Sequence, residues 1–502
     1  DYRSNWSFSL NDAIFNMIDL IMDDQASGWD ANLKGHYNIE HKGGVSHVAP
    51  AMPLALYRLT GDRDILVRRA IPTIEFMLSR SGAHFTYDPS EQGALMQDQF
   101  GENKHFGAST YHALWELTDR LTPALQARMW QGRGVQSSTY INSVPRFAEE
   151  LAAWRATQDP ELLAQVLEEA YRYYAEEVAK PQTEDLGVQP FFASRFVPHW
   201  VGFVDLYEFV QEDFVLAGAL EGARWLLTGL WTQPPFMDQE ITVNPYEVVE
   251  KSTKTIWWYG TERFRLGAPM GLHDVRVETV PAWITSQAGL GIEQPMTFAA
   301  SDRVVMMANW AADLIRLTEI TGDAIYRTFA RNAVIGRFAN YPGYYLNNFV
   351  TMHMYPEYPY EGPDYTSLYY HHIYSHLAYS LDFLFAEAHY RSQGEISFPW
   401  VRQQGYVWFS NRFYGHRPGT FYGFEEVWPW LNRDVLTLDD YGFNYVTAHN
   451  GDHFFVFLMS EAKEARTVQL TFDRELLGLE NQALVVSLYD HGRGQWLEPI
   501  SL

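Results

Sequence analysis

A pair of helical stretches joined by a short turn carrying Thr and Asp recurs along this chain. The unit reads ALYRLTGDRDILVRRAIPTIEFML from Ala55, AAWRATQDPELLAQVLEEAYRYYA from Ala152 and LIRLTEITGDAIYRTFARNAVIGRF from Leu314. On both sides of each turn apolar residues recur at the period of an amphipathic helix. Asp62, Asp159 and Asp323 stand where a carboxylate can accept from the first free N–H groups of the second helix. One such pair cannot bury its apolar faces alone, so repetition predicts a helical array.

Further helices are predicted over Leu10–Met22, Ser46–Leu59, Thr110–Leu121, Phe214–Leu230, Asp302–Thr318 and Ser367–Tyr390. The turns inside the pairs are short. The connections between pairs are long, at 25–45, 131–139, 181–201, 232–301 and 339–366, and long connections in compact domains are usually functional. From about Gln393 the texture changes to short β-branched and aromatic runs at 405–413, 444–447, 453–459, 467–472 and 483–489, which predict antiparallel strands. The stretch FFVFLMSEAKEARTVQLTFDRE is expected to form a hairpin of a small sandwich. The expected division is a helical domain over 1–392, with an irregular insertion at 232–301 that has strands of its own, and an all-β domain over 393–502 acting as a structural cap.

Helix pairs with a T-G-D turn, separated by aromatic polar connections, resemble the α/α-toroid carbohydrate-active enzymes. These include polysaccharide lyases, several glycoside hydrolase families and sugar epimerases. The resemblance covers about three-quarters of the chain and is one of pattern, so it speaks to fold more than to chemistry. It implies a mainly α chain, an α/α-toroid followed by a C-terminal antiparallel β-sandwich, acting on a polysaccharide or oligosaccharide.

Composition agrees with that class and excludes others. The chain has 502 residues, 47% of them hydrophobic, enough for a large core. No run approaches the length of a membrane span. A formal net charge of −25 opposes non-specific binding to nucleic acid. There is no cysteine, which removes disulfides, thiolate nucleophiles and Cys-ligated metals. The sequence opens on Asp1, and an exported, periplasmic or secreted protein is the expectation. Aromatic residues reach 16%, and many lie beside Gly, Pro, His and Asn, a setting that suits the apolar faces and hydroxyl edges of sugars.

Candidate site residues fall in three stretches. SGWDANLKGHYNIEHKGGVSH is predicted to be a Gly-bounded loop, with Trp29 as a stacking platform and Asp30, His36 and Tyr37 hydrogen-bonding sugar hydroxyls. Asp30 can equally cap a turn. In SRFVPHWVGFVDLY, His199 and Tyr207 are eight residues apart and would share a face of a helix that begins at His199. With Asn142 upstream and Arg263 downstream, the order Asn, His, Tyr, Arg is similar to that of toroid lyases acting on uronates. Removing a proton α to a carboxylate requires that carboxylate to be neutralised and a base to take the proton. The roles expected are Asn142 with Arg263 as carboxylate clamp, His199 or His353 as base or charge neutraliser, Tyr207 as base and acid, and Trp200 as a second platform. A buried structural role for His199 and Tyr207 has equal standing. The third stretch, around YYLNNFVTMHMYPEYPYEGPDYTSLYYHHIYSH, supplies Asn347, Asn348, His353 and His372. His372 and His376 share a helix face but lack the Glu of a zinc-binding motif, so no metal is expected there. No cofactor is predicted, a structural calcium ion being compatible with the class.

β-Elimination at a uronic acid is preferred over hydrolysis because His, Tyr, Asn and Arg outnumber paired carboxylates in the connections. The hydrolase alternative would use Asp30 and Glu293 as the carboxylate pair. A non-catalytic glycan-binding protein and a sugar epimerase are further alternatives.

Overall fold

The computed structural model describes residues 8–38, 43–80, 82–88, 106–133, 144–180, 197–228, 240–243, 264–265, 278–281, 307–335, 338, 345–346, 370–404, 410–479 and 485–501. The protein is largely helical, with its strands in several small antiparallel sheets. The helices are α1 (Leu10–Met22), α2 (Met52–Thr60), α3 (Ile71–Ser79), α4 (Ala108–Leu117), α5 (Pro123–Gly132), α6 (Arg146–Thr157), α7 (Pro160–Tyr173), α8 (Val201–Val210), α9 (Asp213–Thr228), α10 (Ala311–Thr321), α11 (Ala324–Val334) and α12 (Ile373–Arg391). None among the described residues is long and apolar enough to cross a membrane.

The repeated turn forms the same structure each time. Thr60, Thr157 and Thr321 each donate to the carbonyl four residues back and accept the N–H of the following Asp. Asp62, Asp159 and Asp323 then accept from the backbone N–H groups of Asp64, Glu161 and Ile325 at 2.8, 2.9 and 3.0 Å. Gly61 and Gly322, at φ 72 and 75, close the preceding helices in the left-handed conformation that costs glycine least.

Helices alternate in burial. α4 is buried along its whole length and α12 from Ile373 to Ala388, so both read as interior helices. Contacts run from α2 to α4, α4 to α6, α6 to α8, α8 to α10 and α10 to α12, and α12 touches α2. Each of these has a second partner: α1 lies on α12, α5 on α4, α7 on α6, α9 on α8 and α11 on α10, while α2 packs on the turn Leu66–Ala70 that leads into α3. Every long connection (23–51, 80–107, 133–145, 174–200, 229–310 and 335–372) enters the N-terminal end of α2, α4, α6, α8, α10 or α12.

Several boundaries differ from expectation. Ser46 lies in a strand, and α2 starts only at Met52, where Pro53 occupies its first turn. The predicted loop at 25–45 holds β1 (Trp29–Asp30), β2 (Gly35–Asn38) and β3 (Gly44–Ser46), which pair in order with β4 (His84–Thr86). The predicted hairpin in FFVFLMSEAKEARTVQLTFDRE does not pair with itself. Phe454–Ser460 pairs with Phe443–His449, and Leu470–Phe472 with Leu436–Leu438. Within 232–301, Glu240–Val243 pairs with Glu278–Pro281, while Phe264–Arg265 pairs with Tyr345–Leu346.

After α12 every described element is a strand. One antiparallel pair, Val401–Gln404 with Ser410–Phe413, is buried throughout and packs on α4, α6 and α12. Arg402 binds Asp205 of α8 and Asp313 of α10, and Arg412 binds Asp205 and Glu208. Arg316 binds Asp313 and Asp382 of α12, and the Tyr414 hydroxyl donates to Asp382 at 3.1 Å. Unpaired buried charges are costly, so these acids and arginines are matched one against another. Burial alone would raise the Asp205 carboxyl, but Arg402 and Arg412 outweigh it and hold the group ionised.

Candidate functional site

The strand pair fixes one end of the buried helices. Gln403 Oε1 accepts from the N–H of Ala51, before α2, and its amide reaches the Val48 carbonyl. The Gln404 N–H donates to Ser109 Oγ in the first turn of α4. Ser410 donates from its backbone to Asn309 Oδ1, before α10, at 2.9 Å. The ends of α2, α4 and α10 that receive long connections therefore meet around Gln403, Gln404 and Ser410. Glu149, fully buried near the start of α6, accepts from the Ser109 N–H at 2.7 Å and lies against Gly107, where any side chain would collide with its carboxylate.

Two of the three candidate stretches come together near this end. β2 packs on the turn Tyr370–His372, and His371 Nδ1 lies 3.4 Å from the Tyr37 carbonyl. The His36 ring meets Tyr374 edge-on at 4.9 Å, and the neighbouring His371 and His372 rings are 4.4 Å apart. His36 Nδ1 is 2.9 Å from the Ser27 carbonyl, whereas its Nε2 has no partner among the described residues. His47 Nε2 lies 2.6 Å from the Lys34 carbonyl. Burial pushes His36 and His372 well below the usual imidazole range and His47 down to about 4. These imidazoles are neutral at neutral pH and can act as bases or hydrogen-bonding groups, not as cations.

The second stretch packs elsewhere. His199 precedes α8, is buried, and lies edge-on to Trp310 at 6.2 Å. Its backbone N–H donates to the Tyr173 hydroxyl at 2.8 Å, and neither ring nitrogen has a hydrogen-bond partner among the described residues. Burial lowers its pKa to about 4, with Arg402 acting in the same direction. A role as a cationic charge neutraliser is therefore disfavoured, and that of a neutral base is retained.

Several expectations are corrected. Trp29 is 7% exposed, and the Arg69 guanidinium lies 4.6 Å above its ring, so the face needed for a sugar is covered. Trp200 is wholly buried against Trp310, with Gly222 packed on its Cβ. Neither indole is a stacking platform. Asp30 Oδ1 accepts from the N–H groups of Asn32 and Leu33, the bonding of a turn cap, and its Oδ2 takes the Tyr37 hydroxyl at 3.3 Å. His199 and Tyr207 do not share a helix face. The helix starts at Val201, so His199 lies outside it and Tyr207 in its last turn, about 10 Å further along the axis. Asn142, Arg263, Glu293, Asn347, Asn348 and His353 lie outside the described residues.

Sequence reasoning passed over Glu149, Asn309, Gln404 and the Asp205–Asp313–Asp382 set. Inside helix patterns the acids and Asn309 look like solvent-facing residues, Gln404 lies outside every predicted helix, and only the partners, distant in the chain, reveal otherwise. Among the described residues no group of His, Asp and Glu has the arrangement of a metal site. Comparison with protein-family models, with curated proteins and with solved structures yields no match.

Proposed function

We propose that this protein is a carbohydrate-active enzyme that cleaves a polysaccharide or oligosaccharide by β-elimination at a uronic acid, on an α/α-toroid. The toroid reading is supported by the order of helix contacts, in which α12 returns to α2. It is also supported by the entry of every long connection at the same end of the buried helices. A division near residue 392, a sandwich in the strand-bearing part and an extracytoplasmic location belong to the same reading. They follow from the resemblance of the helix-pair pattern to that class.

The observation that carries the chemistry is the gathering, among the described residues, of neutral imidazoles and tyrosines at this end, beside described carboxylates already committed elsewhere. Asp30 caps its turn, Asp24 pairs with Arg68 and Arg69, Glu150 pairs with Arg133, and Glu149 holds the Ser109 N–H. Hydrolysis needs two carboxylates free to flank the bond. Elimination needs a base of low charge and a means of neutralising the uronate, and helix N-termini gathered at one end favour an anion there.

In this proposal His199 or His353 takes the C5 proton, and Asn142 with Arg263 neutralises the carboxylate. The same imidazole then returns the proton to the leaving oxygen, Tyr207 lying in the last turn of α8. Incubation with a panel of uronate polysaccharides tests the reading. Ultraviolet-absorbing unsaturated ends are expected, and they should disappear in His199→Ala. New reducing ends without a double bond would replace elimination by hydrolysis. Binding without turnover would make the protein a glycan binder.

A further inference from the structure

The buried helices begin differently from their outer partners. α1, α7 and α11 are each closed at the start by an acceptor side chain, that of Ser9, Asp159 or Asp323. α2, α4, α6, α8, α10 and α12 start after Ala51, Gly107, Pro145, Trp200, Trp310 and His372, and none of these side chains caps the N–H groups that follow. An uncapped helix start favours an anion. α4 shows this within the chain, since the Glu149 carboxylate takes the Ser109 N–H at 2.7 Å. α8 and α10 meet at this end through their aromatic entry residues. The Trp310 ring lies edge-on to those of His199 and Trp200 at 6.2 and 5.7 Å. Asn309, immediately before Trp310, is fully buried. Its amide has one permitted orientation. Oδ1 accepts the Ser410 N–H at 2.9 Å, so Nδ2, on the diverging arm, points away from that strand. The Asn309 carbonyl takes the Asn411 side-chain amide at 3.0 Å, which holds the main chain as well. Nδ2 has no hydrogen-bond partner among the described residues, and native proteins rarely bury a donor that no ligand or water meets. Asp205 of α8 and Asp313 in the first turn of α10 lie near, but Arg402, Arg412 and Arg316 balance both.

We infer that the start of α10 seats the carboxylate of the substrate, with Asn309 Nδ2 as its side-chain donor. This assignment rests on elimination at a uronate as the reaction. The carbon that loses its proton is bonded to the carboxylate, so the group that holds the carboxylate has to stand close to the base. Asn309 meets that requirement, because the residue after it carries the ring against which His199 packs. A neutral amide at an uncapped helix start suits the task. It supplies a donor where negative charge arrives, and it adds no unpaired charge to a buried site when the substrate is absent.

The test uses the full chain and the methyl glycosides of glucuronic and galacturonic acid, which have no sugar at C4 to eliminate, with methyl glucoside and methyl galactoside as neutral counterparts. Asn309→Asp keeps an acceptor for the Ser410 N–H but replaces the donor by a second acceptor. Ligand-observed magnetic resonance should show wild type binding a uronoside more tightly than its neutral counterpart. Asn309→Asp should weaken uronoside binding about tenfold or more and leave the neutral glycosides unchanged. Equal uronoside affinity in folded Asn309→Asp overturns the inference, as does a wild type indifferent to the carboxylate. If the variant does not fold, wild type labelled with nitrogen-15 asparagine decides. A side-chain amide signal should move with the uronoside and stay with the neutral glycoside, and unmoved amide signals overturn the inference. Uronoside binding that depends on Asn309, in a protein that cleaves no uronate polymer, removes elimination and leaves the carboxylate seat. Unsaturated ends released by Asn309→Asp at wild-type kcat and KM remove the seat and leave elimination.

Discussion

Replacing Arg402 by Met should loosen the strand pair from the helices, and its cost can be worked from the contacts. Arg402 is 3% exposed and binds Asp205 and Asp313, with a further bond to Ser410 Oγ at 3.1 Å. Met fills most of the volume, so the cavity contribution is small. The two acids are not abandoned, because Asp205 keeps Arg412 and Asp313 keeps Arg316. Breaking a buried pair costs about 3–5 kcal/mol when one charge is left alone, and the surviving partners place this substitution near the lower figure. Arg402→Met with Asp313→Asn should recover part of the loss, since the second change removes the carboxylate the first leaves under-compensated. Urea unfolding followed by tryptophan fluorescence and by far-ultraviolet circular dichroism reads both effects. Trp200 and Trp310 report on the helix side of the junction. A midpoint for Arg402→Met equal to that of the wild type would refute the claim that these ion pairs join strands to helices.

Further outcomes follow from the same contacts. Acidification from pH 7 to 5 should lower stability. The folded pKa of His47 and of His199 is about 4, below the unfolded value, so the unfolded chain binds protons first as pH falls. Each of the two contributes a loss of about 2 kcal/mol by pH 5, and unchanged melting across that window would contradict their neutral burial. Gly222→Ala should destabilise by about 2–3 kcal/mol or more, because the new methyl would stand 2.3 Å from Trp200 Cβ; a wild-type melt would mean that α9 can shift outward freely. Asp323→Ala removes the cap on Ile325 N–H and should cost about 1 kcal/mol. Asp323→Asn, which keeps an acceptor, should lose much less in the same chemical denaturation experiment.

What the sequence disclosed was local. The Thr–Asp turns carry their own hydrogen bonds within a few residues, so Asp62, Asp159 and Asp323 could be placed from spacing alone. α1 was legible to its ends because Ser9 and Asp12 cap it reciprocally. Non-local pairing was not legible. β3 needs β2 on one side and β4 on the other, and Leu436–Leu438 finds its partner only at Leu470–Phe472. The reading of Trp29 and Trp200 failed for a related reason. Residue type announces an aromatic face, but Arg69 and Trp310, which cover those faces, come from other elements. The meeting of His36 with Tyr374 and of Tyr37 with His371 could be suspected from their density of polar aromatics, though not which of the three stretches would join. Asp205, Asp313 and Asp382 gave no signal, since an acid inside a helix looks solvent-facing until Arg316, Arg402 and Arg412 are seen against it.

In the proposed function, substrate is held where the long connections enter the buried helices. A crystal structure with an unsaturated or slowly cleaved uronate oligosaccharide tests it most directly. Sugar density is expected at the N-terminal ends of α2, α8 and α12, within reach of Tyr37, His371 or His199. Density confined to the Thr–Asp turn end of the helices, or to the strands beyond residue 414, would contradict it.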